Sequence, residues 1–214
     1  YLIEKFEKMI ANYVGAKYAV AVTSCTAGMH LACMAANLSN NQNLITSPIT
    51  FVSTANVAFY TNATPIFSDI DPKTLNLCPK NLTKTLKSNP KTKVILPVHF
   101  AGMPCDMLKI KKIADSKNIS IIEDAAHALG AKYKNGQMVG SCCHSLATVF
   151  SFHPVKLIAS GEGGMITTNN REFYKKLLRL RSHGINKIDD NFVYKNSAYE
   201  KGIKNLWYYE MQEL

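Results

Sequence analysis

The 214-residue sequence predicts an α/β domain with a mostly parallel sheet covered by helices. Short apolar runs recur along the chain, and amphipathic helical stretches separate them. Apolar residues make up 47% of the total, enough to fill one sizeable core. Strand and helix alternation implies right-handed crossovers, with sites at the C-terminal ends of the strands.

The chain opens inside an amphipathic helix, with Leu2, Ile3, Phe6, Met9, Ile10 and Tyr13 expected on its buried face. YAVAVT at 18–23 reads as a buried strand, followed after Ser24, Cys25 and Thr26 by a helix at 27–37. Further strands are predicted at 43–47, 64–70, 92–98 and 119–124, with helices near 51–60, 79–88 and 106–117 between them. Asn135-Gly136 marks a small hairpin at 133–139. Strands at 146–152 and 164–169 and a basic helix from Arg171 to about Arg181 complete the pattern, and the tail from Ile185 reads as polar and irregular.

Lys and Arg total 25 against 15 Asp and Glu, a net charge of +10. The basic residues are scattered as pairs on helix faces, as in KIKK at 109–112, which argues against nucleic-acid binding. The six cysteines form no C-x-x-C, and no histidine spacing completes a zinc site, so they read as reduced thiols and no metal is expected. No apolar stretch approaches a membrane span and no leader pattern opens the chain, so a cytoplasmic protein without membrane contact is expected. The first residue is Tyr1, within a helix, which predicts a missing N-terminal piece.

Lys156 follows the apolar run VFSF and enters the small-residue loop Ser160-Gly161-Glu162-Gly163-Gly164. A lysine that can lose its proton attacks carbonyls, and pyridoxal phosphate is a carbonyl cofactor held by such a lysine as a Schiff base. The alternative is an ordinary solvated lysine. Ser24 to Gly28 lie where a strand turns into a helix, so the helix start is an anion site or a plain N-cap. Asp124 ends an apolar strand beside Glu123; it could hold a pyridine nitrogen protonated, bind a metal, or cap the next turn. His127 follows three residues later as a supporting or a structural histidine. Ser151, five residues before Lys156, would reach a cofactor phosphate, and Phe51 is either a ring-stacking partner or a core aromatic. Each signal is weak alone, and their joint occurrence in this chain order carries the argument.

AVTSCTAGMHLA, SPITFVSTANVA, VHFAGMPCD, IIEDAAHALGA, VFSFHPVKLIASGEGGMITT and LRSHGI together resemble the DegT/DnrJ/EryC1/StrS sugar-nucleotide aminotransferases, and the resemblance covers essentially the whole chain. It implies an aspartate-aminotransferase-like large domain of pyridoxal phosphate fold type I at residues 1–184. Residues 185–214 would begin the connection towards a C-terminal small domain, which is expected to be missing. Carried over, Lys156 is the Schiff-base lysine and Asp124 the partner of the pyridine nitrogen. Ser151, Thr26 and Ala27 become phosphate contacts, Phe51 the stacking residue, and His127 lies beside the ring. The lysine favours transamination over the dehydratase chemistry of members with histidine there. The implied reaction is ping-pong: L-glutamate gives its amino group, leaves as 2-oxoglutarate, and the amine passes to carbon 4 of a UDP-linked 4-keto-6-deoxy-N-acetylhexosamine. RSHGI and WYYEMQEL resemble the pseudaminic acid branch; branches making 4-amino-arabinose or perosamine are the alternative. A homodimer is implied for the full-length protein. The missing ends leave open a non-catalytic remnant or regulatory binding module.

Overall fold

The computed structural model describes residues 2–186 and 192–212. Strands β1 (Tyr18–Val22), β2 (Asn43–Thr46), β3 (Thr64–Phe67), β4 (Thr92–Leu96), β5 (Ser120–Asp124), β6 (Ala147–Ser151) and β7 (Gly164–Thr168) form one sheet in the order β1-β7-β6-β5-β4-β2-β3. β7 runs antiparallel to both its neighbours, and every other pairing is parallel. The C-terminal ends of β1, β2, β4, β5 and β6 therefore meet the start of β7 along one edge.

Helices α1 (Leu2–Val14), α4 (Pro79–Ser88) and α5 (Met107–Asp115) contribute to a core with Ala19, Ile45, Ile95, Ile121, Phe150 and Met165. Helices α2 (Cys25–Ala35), α3 (Ser53–Tyr60) and α6 (Arg171–Arg181) share a second core with Val20, Leu44, Val94, Leu96, Ile122, Val149 and Ile166. Adjacent strand residues divide between the two cores because strand side chains alternate faces. Strands covered on both sides therefore read as continuous apolar runs.

The predicted elements recur with ends shifted by a few residues. β3 is shorter than expected: hydrogen-bonded strand stops at Phe67, and Ile70 instead bridges Leu77. In α1 the buried residues are Glu7, Ile10, Ala11 and Val14, while Leu2, Ile3, Met9 and Tyr13 stand exposed. Glu7 takes the inward place because its carboxylate accepts the Ala21 N–H at 2.8 Å and pairs with Arg181. The hairpin forms through a Lys132–Met138 bridge, with Gly136 at φ 82°. The described part of the tail carries short regular elements where an irregular chain is expected. β8 (Ile185–Asn186) pairs with β11 (Glu210–Met211), and β9 (Tyr199–Glu200) pairs with β10 (Ile203–Lys204) after a short helix α7 (Lys195–Ala198). All six cysteines are free, and four are buried. Among the described residues no helix is long and apolar enough to cross a membrane.

Candidate active site

Two cavities of about 360 and 280 Å3 open along the edge where the parallel strands end, and both have Phe51, Asp124, Ala126 and Lys156 in their walls. His127, Thr50, Val98 and His99 are among the other residues lining the first; Ser24, Thr26 and Ser151 are among those lining the second. Six of the seven predicted site residues thus surround one cleft.

β5 places Asp124 there by alternation. Ile122 points into the α2, α3 and α6 core, so Asp124, two residues on, lies on the same side, at the strand end. Its Oδ1 accepts the Ala126 N–H at 3.1 Å, and its Oδ2 accepts the Thr54 hydroxyl at 2.8 Å. Each oxygen keeps acceptor capacity at the cleft wall. Glu123 faces the opposite way and is not a site residue. It is fully buried and accepts hydrogen bonds from Tyr133 Oη at 2.6 Å, Thr148 Oγ1 at 3.0 Å and Ser145 Oγ, and pairs with His99 Nε2 at 2.7 Å. The carboxylate favours a protonated ring, but His99 Nδ1 already accepts the Cys105 N–H at 3.1 Å, so the ring is the neutral tautomer with its proton on Nε2.

Lys156 is half-buried, with Nζ 2.9 Å from His127 Nε2. Burial and then the nearby lysine charge hold the His127 pKa below its ordinary value, against the opposing pull of Asp124. A neutral His127 accepts from the lysine ammonium. Phe51 is 73% exposed, so it is a cleft-wall aromatic and not part of the core.

At the far end of the cleft, Ser24 caps α2: its Oγ accepts the Ala27 N–H at 3.1 Å and its carbonyl accepts that of Gly28 at 3.0 Å. The N–H groups of Cys25 and Thr26 make no backbone bond among the described residues, and the helix dipole adds positive potential there. α2 reaches this place because β7 begins with glycine: a Cβ on Gly164 would stand 2.6 Å from the Ser24 carbonyl carbon and 2.7 Å from the Cys25 nitrogen. Ala27 is the predicted residue not brought to the cleft. Its N–H is committed to the cap, and it lines a groove of about 560 Å3 with Ile3, Leu31 and Leu180. That groove is larger, but its walls hold no lysine and no carboxylate.

Sequence reasoning missed Thr54, His153 and Glu162, whereas Cys25 fell within the predicted helix start from Ser24 to Gly28. His153 and Glu162 approach to 3.7 Å and line the cleft, and their place on either side of Lys156 was the available signal. Burial first, then the Asp124 charge, pushes the Cys25 thiol well above its ordinary pKa, with Lys156 opposing, so it is not a ready nucleophile.

A lysine, a carboxylate and a helix N-terminus converging where parallel strands end is the layout of an α/β enzyme site. The sequence profile of the DegT/DnrJ/EryC1/StrS aminotransferase family matches residues 2–207, and the chain belongs to that family. It is 44% identical over 210 residues to the spore coat polysaccharide biosynthesis protein SpsC of Bacillus subtilis, covering 98% of this chain and 51% of SpsC. It therefore spans about half the length of that relative. Among solved structures, the aminotransferase from Psychrobacter cryohalolentis superposes with a TM-score of 0.85 at 32% identity, over 99% of this chain and 52% of that one. Helicobacter pylori PseC, an aminotransferase involved in the biosynthesis of pseudoaminic acid, superposes with a TM-score of 0.79 at 34% identity, over 89% of this chain and 50% of that one. Other solved neighbours are in PLP and PMP forms.

Proposed function

We propose that this chain is the cofactor-binding large domain of a pyridoxal phosphate-dependent sugar-nucleotide aminotransferase. The observation that carries the reading is the single cleft in which Lys156, His127, Asp124 and Phe51 face the N-terminus of α2. The donor set fits the cofactor. Thr26, Ser24, Ser151 and the free N–H groups of α2 suit a phosphate; Asp124, an acceptor-only carboxylate with capacity left, suits a protonated pyridine nitrogen. Phe51 offers a ring face, and Lys156 an amine. Ala27, given as a phosphate contact by the resemblance, keeps that role only if its N–H is shared with Ser24.

Bound here, the cofactor would supply a carbonyl that captures amines and a ring that withdraws electrons. The protein residues set the conditions for that chemistry. Neutral His127 accepts a hydrogen bond from Lys156 Nζ and holds that nitrogen in the cleft. Asp124 holds a negative charge at a position fixed by two hydrogen bonds. Lys156 is the group placed to carry protons to and from a substrate carbon.

The amino donor in this reading is L-glutamate, leaving as 2-oxoglutarate, and the acceptor a UDP-linked 4-keto-6-deoxy-N-acetylhexosamine aminated at carbon 4. RSHGI and WYYEMQEL, together with the similarity to PseC, support the pseudaminic acid branch. The working form is a cytoplasmic homodimer of the full-length protein, with residues 1–184 as the large domain and 185–214 as the start of its connection onward. The test is to incubate the purified chain with pyridoxal phosphate, reduce with borohydride and map the labelled peptide. Label on Lys156 supports the reading, and assays with glutamate and UDP- or TDP-linked keto sugars then choose the acceptor. A folded chain that takes no label overturns it for this chain.

A further inference from the structure

Asp124 is held by more than its own strand. Its Oδ2 lies 2.8 Å from Thr54 Oγ1, and that hydroxyl lies 2.7 Å from Thr50 Oγ1. An ionised carboxylate only accepts, so Thr54 spends its single proton on Asp124, and Thr50 must donate to Thr54. The direction of both bonds is thereby set by the charge on Asp124. Thr54 is fully buried in the first turn of α3, Asp124 is 4% exposed, and Thr50 precedes the exposed Phe51. The two hydroxyls therefore tie the loop that carries Phe51 to the carboxylate across the cleft.

We propose that Thr54, backed by Thr50, is a positioning residue that holds Asp124 and the Phe51 loop in one geometry for the cofactor ring. This rests on the functional reading above and adds to it a polarised hydroxyl relay between the two groups that would grip the ring from its edge and its face. A charge-assisted hydrogen bond from a buried donor is among the stronger kinds, and removing it frees the carboxylate to rotate.

The test is the affinity of the purified chain for pyridoxal phosphate, measured by equilibrium dialysis, with folding checked by circular dichroism. Thr54→Val is expected to weaken binding about tenfold, and Thr54→Ser, which keeps the hydroxyl, to stay within about twofold. Thr50→Val, at a half-buried position, is expected to weaken binding about threefold and serves if Thr54→Val fails to fold. In an Asp124→Ala background each valine substitution should have almost no further effect, because the acceptor on which the relay acts is gone. Equal losses in both backgrounds, or a Thr54→Ser variant as weak as Thr54→Val, would overturn the relay while leaving the functional reading standing. Absence of binding by the unsubstituted folded chain would overturn that reading and this role of Thr54 with it.

Discussion

Glu123 and Asp124 are neighbours with opposite surroundings: one is locked into the core by four side chains, the other ends at a cleft. Burial pushes the Glu123 pKa up, but hydrogen bonds from His99, Ser145 and Tyr133 outweigh it and hold the carboxyl below its ordinary value of 4.5. A carboxylate with a depressed folded pKa contributes stability that is complete above its unfolded value and is lost as pH falls through the folded one. The chain should therefore lose stability in urea melts as pH falls below 4.5, more steeply than Glu123→Gln does. Glu123→Ala strands four donors and should cost about 3–5 kcal/mol at neutral pH. Phe51→Ala separates site from core in the opposite way. The ring is 73% exposed, so the variant should keep its stability within about 0.5 kcal/mol while losing affinity for pyridoxal phosphate in a dialysis measurement.

At the level of elements, the contact between β7 and α2 decides where the anion site stands. Gly164→Ala would place a methyl against the Ser24 and Cys25 backbone, and neither can move without shifting the helix start. The expected result is a loss of about 1–3 kcal/mol together with weaker cofactor binding. Gly136→Ala is the control: Gly136 has φ 82° but open space around it, so its cost of about 1 kcal/mol should leave binding unchanged. Thermal melts and dialysis of both variants check the pair. α1 shows the limit of periodicity at this scale. The helix buries Glu7, Ile10, Ala11 and Val14, a face turned from the apolar stripe that contains Leu2, Met9 and Tyr13, and a carboxylate partnered by Ala21 and Arg181 sits on it.

Across the whole molecule, protection should follow the two cores. Hydrogen exchange is expected to be slowest in β2, β4, β5, β6 and β7, which lie between other strands, and fastest in the two-residue pairings of β8 with β11 and β9 with β10. Equal protection of both groups would show that the tail is a full partner in the core. Much of this architecture is legible in the sequence because continuous apolar runs, helix periodicity and turn residues are local signals, and strand alternation is a local rule. Those rules also bring Lys156, Asp124, Ser151 and Phe51 to one end of a parallel sheet, since each lies at or just beyond a strand. What tertiary structure decided are the pairings between distant positions. Nothing local joins Thr54 to Asp124, which are 70 residues apart, or tells which of the two buried carboxylates, Glu123 or Asp124, lines the cleft. The antiparallel place of β7, and with it the need for glycine at 164, follows from how the sheet is assembled. The Ala27 N–H turned to its own cap because Ser24 lies three residues before it, a choice between two acceptable partners that only the folded geometry resolves. Sequence alone determined which groups are available and on which elements they lie; the fold determined which of them touch, because hydrogen bonds and steric contacts depend on distance in space and not on separation along the chain.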